Sequence, residues 1–421
     1  MKKMSKIKSF ILLLVMFTLT GSLLAEDVVQ VKPFTTTPGI SIDDEETFSM
    51  ELVNTNAYTA LEFHLFLPEG ITLDMDYPFD MNSDRFPGKF KKGVFIPNHD
   101  YDITNPTPGQ YYVKIYNTSL ETIEGTEGEI LSFYYETSAE MKPGLYPIRV
   151  TGTVLAIDSH NGVEPAPSVS FVKITDSEGN VPANALLDLG NDEIPSFVRT
   201  ELPEKNVIIN GVCENLVLTD GEDFEVATAF TATQANFTTN VSGYKTLVLP
   251  FEADVPDGFS ASKAISVTGT SINLESASTI DANSPVVIHG EGSLVLTQEN
   301  AVLAATDDAN LTSGVLSGTF KSIPAPVGSY VLQKQNGLIG FYLVADVQPT
   351  VGAFRALLYV PDSGVKVYTI ADDATGISFS SALEEGNEYY NMSGQRVGKA
   401  QKGINIVKRS SANAIGKKIL Y

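Results

Sequence analysis

The chain has no tryptophan, one cysteine and only four histidines among 421 residues. With Cys213 alone, an intrachain disulfide is impossible, so stability must come from cores that stand without cross-links. Val212 and Glu214 flank that cysteine and no cation adjoins it to generate a thiolate, so it reads as a small buried filler. His64, His99, His160 and His289 are scattered outside any His-Glu-x-x-His pattern, which removes the common zinc-hydrolase carrier and predicts surface or loop positions. A Gly-x-Ser-x-Gly elbow, a phosphate-cradling glycine loop and a dinucleotide fingerprint are also missing. Paired carboxylates for glycoside hydrolysis meet only in space, and the tryptophan platforms that usually accompany them are lacking. No catalytic residue, metal ligand or cofactor is therefore nominated, and no enzyme is expected.

Glycine (33) and proline (22) are too sparse for collagen or a low-complexity chain, while 43% hydrophobic residues suit packed domains. Long apolar runs are missing after the first 25 residues, so no transmembrane segment is expected there. Those first residues have the three parts of a secretory signal: Lys2, Lys3, Lys6 and Lys8, an apolar run over 10–19, and small residues leading to Ala25. Removing them takes away four lysines and no acid, which leaves 24 basic against 51 acidic residues and a net charge of −27. Such a field repels nucleic acid and anionic lipid alike. The expected location is extracellular or on the outer cell surface, with the periplasm as the alternative.

From 28 to 174 the sequence alternates with period two, interrupted by turn residues every 8 to 12 positions. Leu61, Phe63, Leu65 and Leu67 alternate with Glu62, His64 and Phe66, and Pro68-Glu69-Gly70 ends that strand. Tyr111, Val113 and Ile115 interleave with Tyr112, Lys114 and Tyr116, and Leu131, Phe133 and Tyr135 with Ser132, Tyr134 and Glu136. This pattern predicts an antiparallel sandwich. Three ordered blocks, ALEFHLFLPEGI (60–71), GEILSFYYETSAEMKPGLYPIRVTGTVLAIDSHNG (128–162) and SVSFVKI (168–174), resemble the cohesin-like domains and the carbohydrate-binding-module sandwiches that share their fold. Lys142-Pro143-Gly144-Leu145-Tyr146 matches that family's turn residue by residue, whereas 74–108 departs from it by being longer and more irregular. The resemblance implies a role in carbohydrate-related or polysaccharide-degrading assemblies.

Residues 176–206 lose the alternation and read as a linker with a helical turn. A second β-rich domain occupies 207–374, with strands such as KTLVLP (245–250) and turns at Asp220-Gly221, Asp257-Gly258 and Asn336-Gly337. Its segment 230–256 resembles a module of exported Bacteroidetes proteins, with Tyr244 where tryptophan is usual. Beyond Glu388 no acid remains and seven positive charges appear. That tail (375–421) resembles the C-terminal sorting signals of type IX export, with Tyr390, Gly394, Arg396, Val397, Gly403, Ile404, Ile406, Val407, Lys417 and Lys418 in the family's places. The expected architecture is all-β: signal peptide (1–25), cohesin-like β-sandwich (26–175), linker, a second sandwich-like domain and a small β tail.

Nine of the 17 tyrosines lie between Tyr58 and Tyr146. The alternation sends Tyr112, Tyr116 and Tyr134 outward with His64, Phe66 and Lys114, so these six residues form the candidate ligand-binding face, for a glycan or a cell-surface protein. The opposing expectation is that loops cover this face, or that isolated aromatics are tolerated on it. Acidic clusters at 43–46, at Asp74, Asp76 and Asp80, and at Asp307-Asp308 are where structural calcium would sit, though none has a recognised ligand spacing. The sequence thus points to an exported, non-catalytic binding or scaffolding protein. The alternative is a structural adhesin or spacer with no specific small ligand.

Overall fold

A computed structural model describes residues 27–191, 194–335, 337–361 and 363–370, and in the tail 388–390, 396–397, 403–408 and 415–420. The expected signal peptide lies outside the described residues, as does Gly394 of the tail pattern. The chain divides into two compact units between Thr369 and Ile370. The all-β class holds: helical structure among the described residues amounts to one α-helix, Ser196–Glu201, and two 3-10 turns. No helix there is long and apolar enough to cross a membrane.

The first sandwich begins with β1 (Val28–Val31), β2 (Phe34–Thr36), β3 (Thr47–Val53), β4 (Ala60–Phe66) and β5 (Ile71–Leu73). It continues through β6 (Phe79–Met81), β7 (Gly88–Lys91), β8 (Val94–Pro97), β9 (Asp100–Thr107) and β10 (Gln110–Tyr116). It closes with β11 (Glu129–Thr137), β12 (Gly144–Ala156), β13 (Gly162–Val163) and β14 (Ser168–Ile174). One sheet runs β1-β3-β11-β5, with β6 also on β11, and the other runs β2-β14-β12-β4-β10-β9, with β13 on β12. Among the described residues β7 and β8 pair only with each other.

Period-two alternation is what sorts side chains between core and surface. β4 buries Leu61, Phe63 and Leu65 and turns Glu62, His64 and Phe66 away, while β10 buries Tyr111, Val113 and Ile115. Between the sheets Phe48 stacks on Phe34 at 4.9 Å and on Phe133 at 5.3 Å, and Phe79 meets Phe133 edge-on at 5.1 Å. Burying each ring stabilises by about 1.5–3 kcal/mol, and each such pair adds about 0.5–1.5 kcal/mol.

The irregular stretch 74–108 is anchored by a buried arginine. Arg85 donates through Nη1 to the carbonyls of Leu52 (3.2 Å) and Gly128 (3.0 Å), through Nη2 to Asn54 Oδ1 (2.8 Å), and through Nε to the Glu124 carbonyl. All four acceptors are neutral, so a charged donor ties this stretch to the end of β3 and to the loop before β11 by directed hydrogen bonds without an ion pair. Close by, His99 lies in the loop between β8 and β9, within the surface-or-loop expectation, yet it is 3% exposed, with its ring edge-on to Phe86 at 5.0 Å. Asn117, just past β10, donates to the Asn98 carbonyl at 2.9 Å and draws that loop over the start of β9, so the position is interior although no periodicity marks it.

The connecting segment 176–206 is itself packed. Val169 and Phe171 project from β14 on the side away from the sandwich core, and Leu187, Leu189, Ile194 and Val198 bury them. The strand Leu187–Asp188 pairs in parallel with Val207–Ile209, which begins the second β region of this unit. There a 13-stranded sheet is built around two 18-residue strands, Phe230–Leu247 and Val286–Leu303, paired antiparallel along their length. Phe224, Phe237, Phe251, Phe320 and Phe354 fill its core with Cys213, whose thiol burial pushes up and keeps unreactive. Asp220 joins Lys245 (2.9 Å) to Arg355 (2.6 Å to each carboxylate oxygen) and accepts from Thr239. Burial pushes the Asp220 carboxyl up, but Thr239, Lys245 and Arg355 together hold it below the ordinary range. In the second unit, Arg396–Val397, Glu388–Tyr390, Gly403–Lys408 and Ile415–Leu420 form an antiparallel sheet in that order.

His99 gives a pH signature. Burial pushes its imidazole below the usual value, and the backbone carbonyls of Glu121 and Thr59 and the charge of Asp100 offset this only in part. The unfolded chain therefore takes up the proton first, and stability falls as pH drops below about 6.5, by at most about 1.4 kcal/mol per pH unit. Urea unfolding of the protein between pH 7.5 and 5 should show this loss, and His99→Leu should flatten it. Equal slopes for the two proteins would contradict the assignment.

Candidate functional site

The registers of β12, β4, β10 and β9 place the outward residues on a grid. Thr151, His64, Tyr112 and Thr104 lie in one row across the strands. Glu62, Lys114 and Asp102 form the next, and Ala60, Tyr116 and Asp100 the one after. Arg149, Phe66 and Gln110 lie on the other side of the His64 row. Five of the six nominated residues, His64, Phe66, Tyr112, Lys114 and Tyr116, thus share one sheet face, as the alternation of β4 and β10 requires.

Tyr134 does not join them. β11 pairs with β3, β5 and β6, so Tyr134 looks out from the opposite sheet. Alternation tells which residues share one strand's face but not which sheet that strand enters. On that second face Tyr134 and Tyr77 both donate to Asp80, at 2.8 and 2.5 Å, with their rings 5.5 Å apart. The bond to Asp80 and partial burial push Tyr77 up to about 12. Nothing in the sequence pairs Tyr77 with Tyr134, since 57 positions separate them; a strand-pairing map is needed.

On the first face the side chains engage one another. The His64 ring stacks on Tyr112 at 4.6 Å with 24° between planes and lies 6.5 Å from Phe66. Lys114 Nζ stands 5.0 Å from the centre of the Tyr112 ring. Glu62, which the alternation put on this face but which was not nominated, accepts from the Tyr112 hydroxyl at 2.8 Å and pairs with Lys114 at 3.3 Å. Its contact with Tyr112, then the pair with Glu62, raises the ammonium of Lys114 above its usual value. His64 Nδ1 is buried without a hydrogen-bond partner among the described residues. Tyr116, 36% exposed, closes the end of the face. The result is a flat mosaic of aromatic and charged groups with its polar atoms largely tied in place. It can present directed contacts, and two clefts of the first unit, of about 670 and 620 Å³, are lined by other residues.

In each acidic cluster one carboxylate accepts a turn hydrogen bond. Asp44 accepts from the Ser41 N–H and Asp74 from the Asp76 N–H, each at 2.8 Å, and Asp307 accepts from Asn310 Nδ2 at 2.6 Å. Among the described residues no three His, Cys, Asp or Glu side chains gather as metal ligands.

No protein-family model matches the chain. No curated protein matches it either. Similar solved structures are cohesin modules. The sixth cohesin of scaffoldin B from Acetivibrio cellulolyticus, solved in complex with a Cel5 dockerin, is 12% identical, with 36% of this chain and 99% of that chain covered and a TM-score of 0.27. A non-cellulosomal cohesin from Archaeoglobus fulgidus is 15% identical, covering 37% and 94% at a TM-score of 0.26. The cohesin CaCohA2 from Clostridium acetobutylicum, a solution structure, is 15% identical, covering 35% and 90% at a TM-score of 0.28.

Gly152 makes the His64 position testable. It sits at a bulge of β12 with φ +58°, and a Cβ there would lie 3.0 Å from His64 Cδ2. Gly152→Ala should cost about 1–2 kcal/mol in stability and displace the imidazole from Tyr112. Thermal unfolding and the histidine ring signals in NMR read the two effects; unchanged ring signals would contradict the packing described.

Proposed function

We propose that this chain is an exported, non-catalytic binding protein that engages a partner protein through the outer face of β4, β10 and β9. The observation that carries this reading is that the central aromatic, Tyr112, is already covered by His64 and Lys114 and tied by its hydroxyl to Glu62. A sugar-binding platform needs an open ring face, whereas a protein partner is recognised by a fixed pattern of aromatic and charged groups. The blocks that resemble cohesin-like domains support the same reading, with 26–175 as the binding module. The second β region, 207–374, serves as a rigid spacer joined to it through the packed linker 176–206, and the tail 375–421 as an export signal. The leader and the tail together support an outer-surface location.

The mature chain is the right object for the test, because ending it at 175 would uncover Val169 and Phe171. Capture from a surface extract of the producing cells should retain a protein partner, and Tyr116→Ala or Lys114→Glu should weaken its affinity about tenfold or more. Saturable binding on a glycan array, lost with Tyr112→Ala, would instead make the face a carbohydrate site. Silence in both assays would leave a spacer or adhesin without a specific ligand.

The tail has its own test. Deleting 391–421 should trap the protein in the periplasm, and normal surface display of the shortened chain would refute an export role.

A further inference from the structure

The hairpin of β7 and β8 belongs to neither sheet of the sandwich, and among the described residues no third strand pairs with it. Its turn places Lys92 (φ +54°) and Gly93 (φ +86°) in the left-handed region at both central positions. Asn or Gly is the favoured residue at the first of these positions, so a lysine there forgoes backbone preference for charge.

Register divides the hairpin into two faces. Phe90 and Phe95 oppose each other with rings 5.3 Å apart, and Phe95 is half-buried against the sandwich core. On the other face Lys89 and Lys91 line one strand, and Ile96 and Val94 lie directly opposite on its neighbour. Val94 is 65% exposed and Ile96 38% exposed. Lys89, Lys91 and Lys92 make no ion pair with any described residue, so three free cations within four positions stand on a chain whose mature net charge is −27. A two-stranded ribbon is marginal in water by itself, and this one exposes aliphatic side chains beside unpaired charge.

We propose that the hairpin 88–97 is a docking arm for an acidic polypeptide segment that also carries apolar side chains, laid along the Lys89, Lys91, Val94 and Ile96 face. Charge complementarity selects an acidic partner. Two aliphatic side chains spaced by two residues, about 6.6 Å, match the repeat of an extended peptide and favour a polypeptide over a polysaccharide. The acidic body works against polyanions of high charge density such as nucleic acid or an anionic membrane, which would meet it as well as the arm. This site uses none of the residues of the β4, β10 and β9 face, so either proposal can fail alone.

The test uses the mature full chain and four probes: an acidic random copolymer of glutamate and tyrosine, polyglutamate, heparin, and vesicles containing phosphatidylglycerol. The copolymer should bind more tightly than the other three, and its affinity should fall several-fold between 50 and 200 mM salt. Reversing the arm with Lys89→Glu, Lys91→Glu and Lys92→Glu should weaken copolymer binding at least tenfold. Val94→Ser with Ile96→Ser should weaken it to a similar degree while leaving the salt dependence unchanged. Unaltered urea midpoints would show that the exposed substitutions left the fold intact. Any of four results would overturn the proposal: no copolymer binding at 50 mM salt, copolymer binding that survives charge reversal, heparin or vesicle binding as tight as the copolymer's, or self-association in sedimentation that charge reversal abolishes. The last would assign the arm to a second copy of the chain.

Discussion

The first sandwich rests on a single constraint: two sheets that no covalent cross-link joins must hold each other through the side chains between them. Phe48, Phe133 and Phe79 form a continuous contact of rings from one layer, and Phe63, Leu65, Tyr111 and Val113 close on it from the other. Because every second residue is committed to that core, the residues between are the ones left to face outward. The mosaic of Glu62, His64, Tyr112 and Lys114 is a direct product of core packing, since the Phe63 and Val113 that anchor their strands also fix where the outward side chains stand.

The same division separates the legible from the illegible in the sequence. Alternation identified β4, β10 and β11, their buried sides, and the grouping of five outward residues, because period two is a local property of each strand. It could not tell that β11 enters the other sheet and carries Tyr134 away, because strand order is decided by pairing between distant segments. Nor could it reveal that the linker is packed: Leu187, Leu189, Ile194 and Val198 obey no regular period and are brought together by a turn, a short strand and one helix. His99 and Arg85 were illegible for a further reason. Both sit on an irregular stretch: Arg85 is held mainly by backbone carbonyls, which every residue has, and His99 by packing against Phe86.

The linker packing alters the meaning of domain in this unit. Val169 and Phe171 belong to β14 of the sandwich by hydrogen bonding, yet their side chains belong to a core contributed by Leu187, Leu189, Ile194 and Val198. A sheet can leave one face to solvent only if that face is polar, and β14 is buried on both sides. The sandwich therefore presents only part of its second sheet, the β4, β10 and β9 end, to other molecules. The position of the candidate face is fixed by where the second β region begins as much as by the residues that form it.

Charge completes this partition. A strongly acidic surface keeps molecules apart and discourages indiscriminate contacts, so a site that must capture a partner has to depart locally from the background. Two places in the first sandwich do so by different means. On the sheet face Lys114 is neutralised by Glu62 and bound over an aromatic ring, which makes it part of a fixed pattern with little net charge. On the hairpin the lysines are left unpaired beside exposed aliphatics, which makes the arm attractive at a distance and adhesive on contact. A face proposed to recognise by geometry and an arm proposed to recognise by charge use different residues, and one sandwich can carry both because the loop that builds the arm lies outside the two sheets.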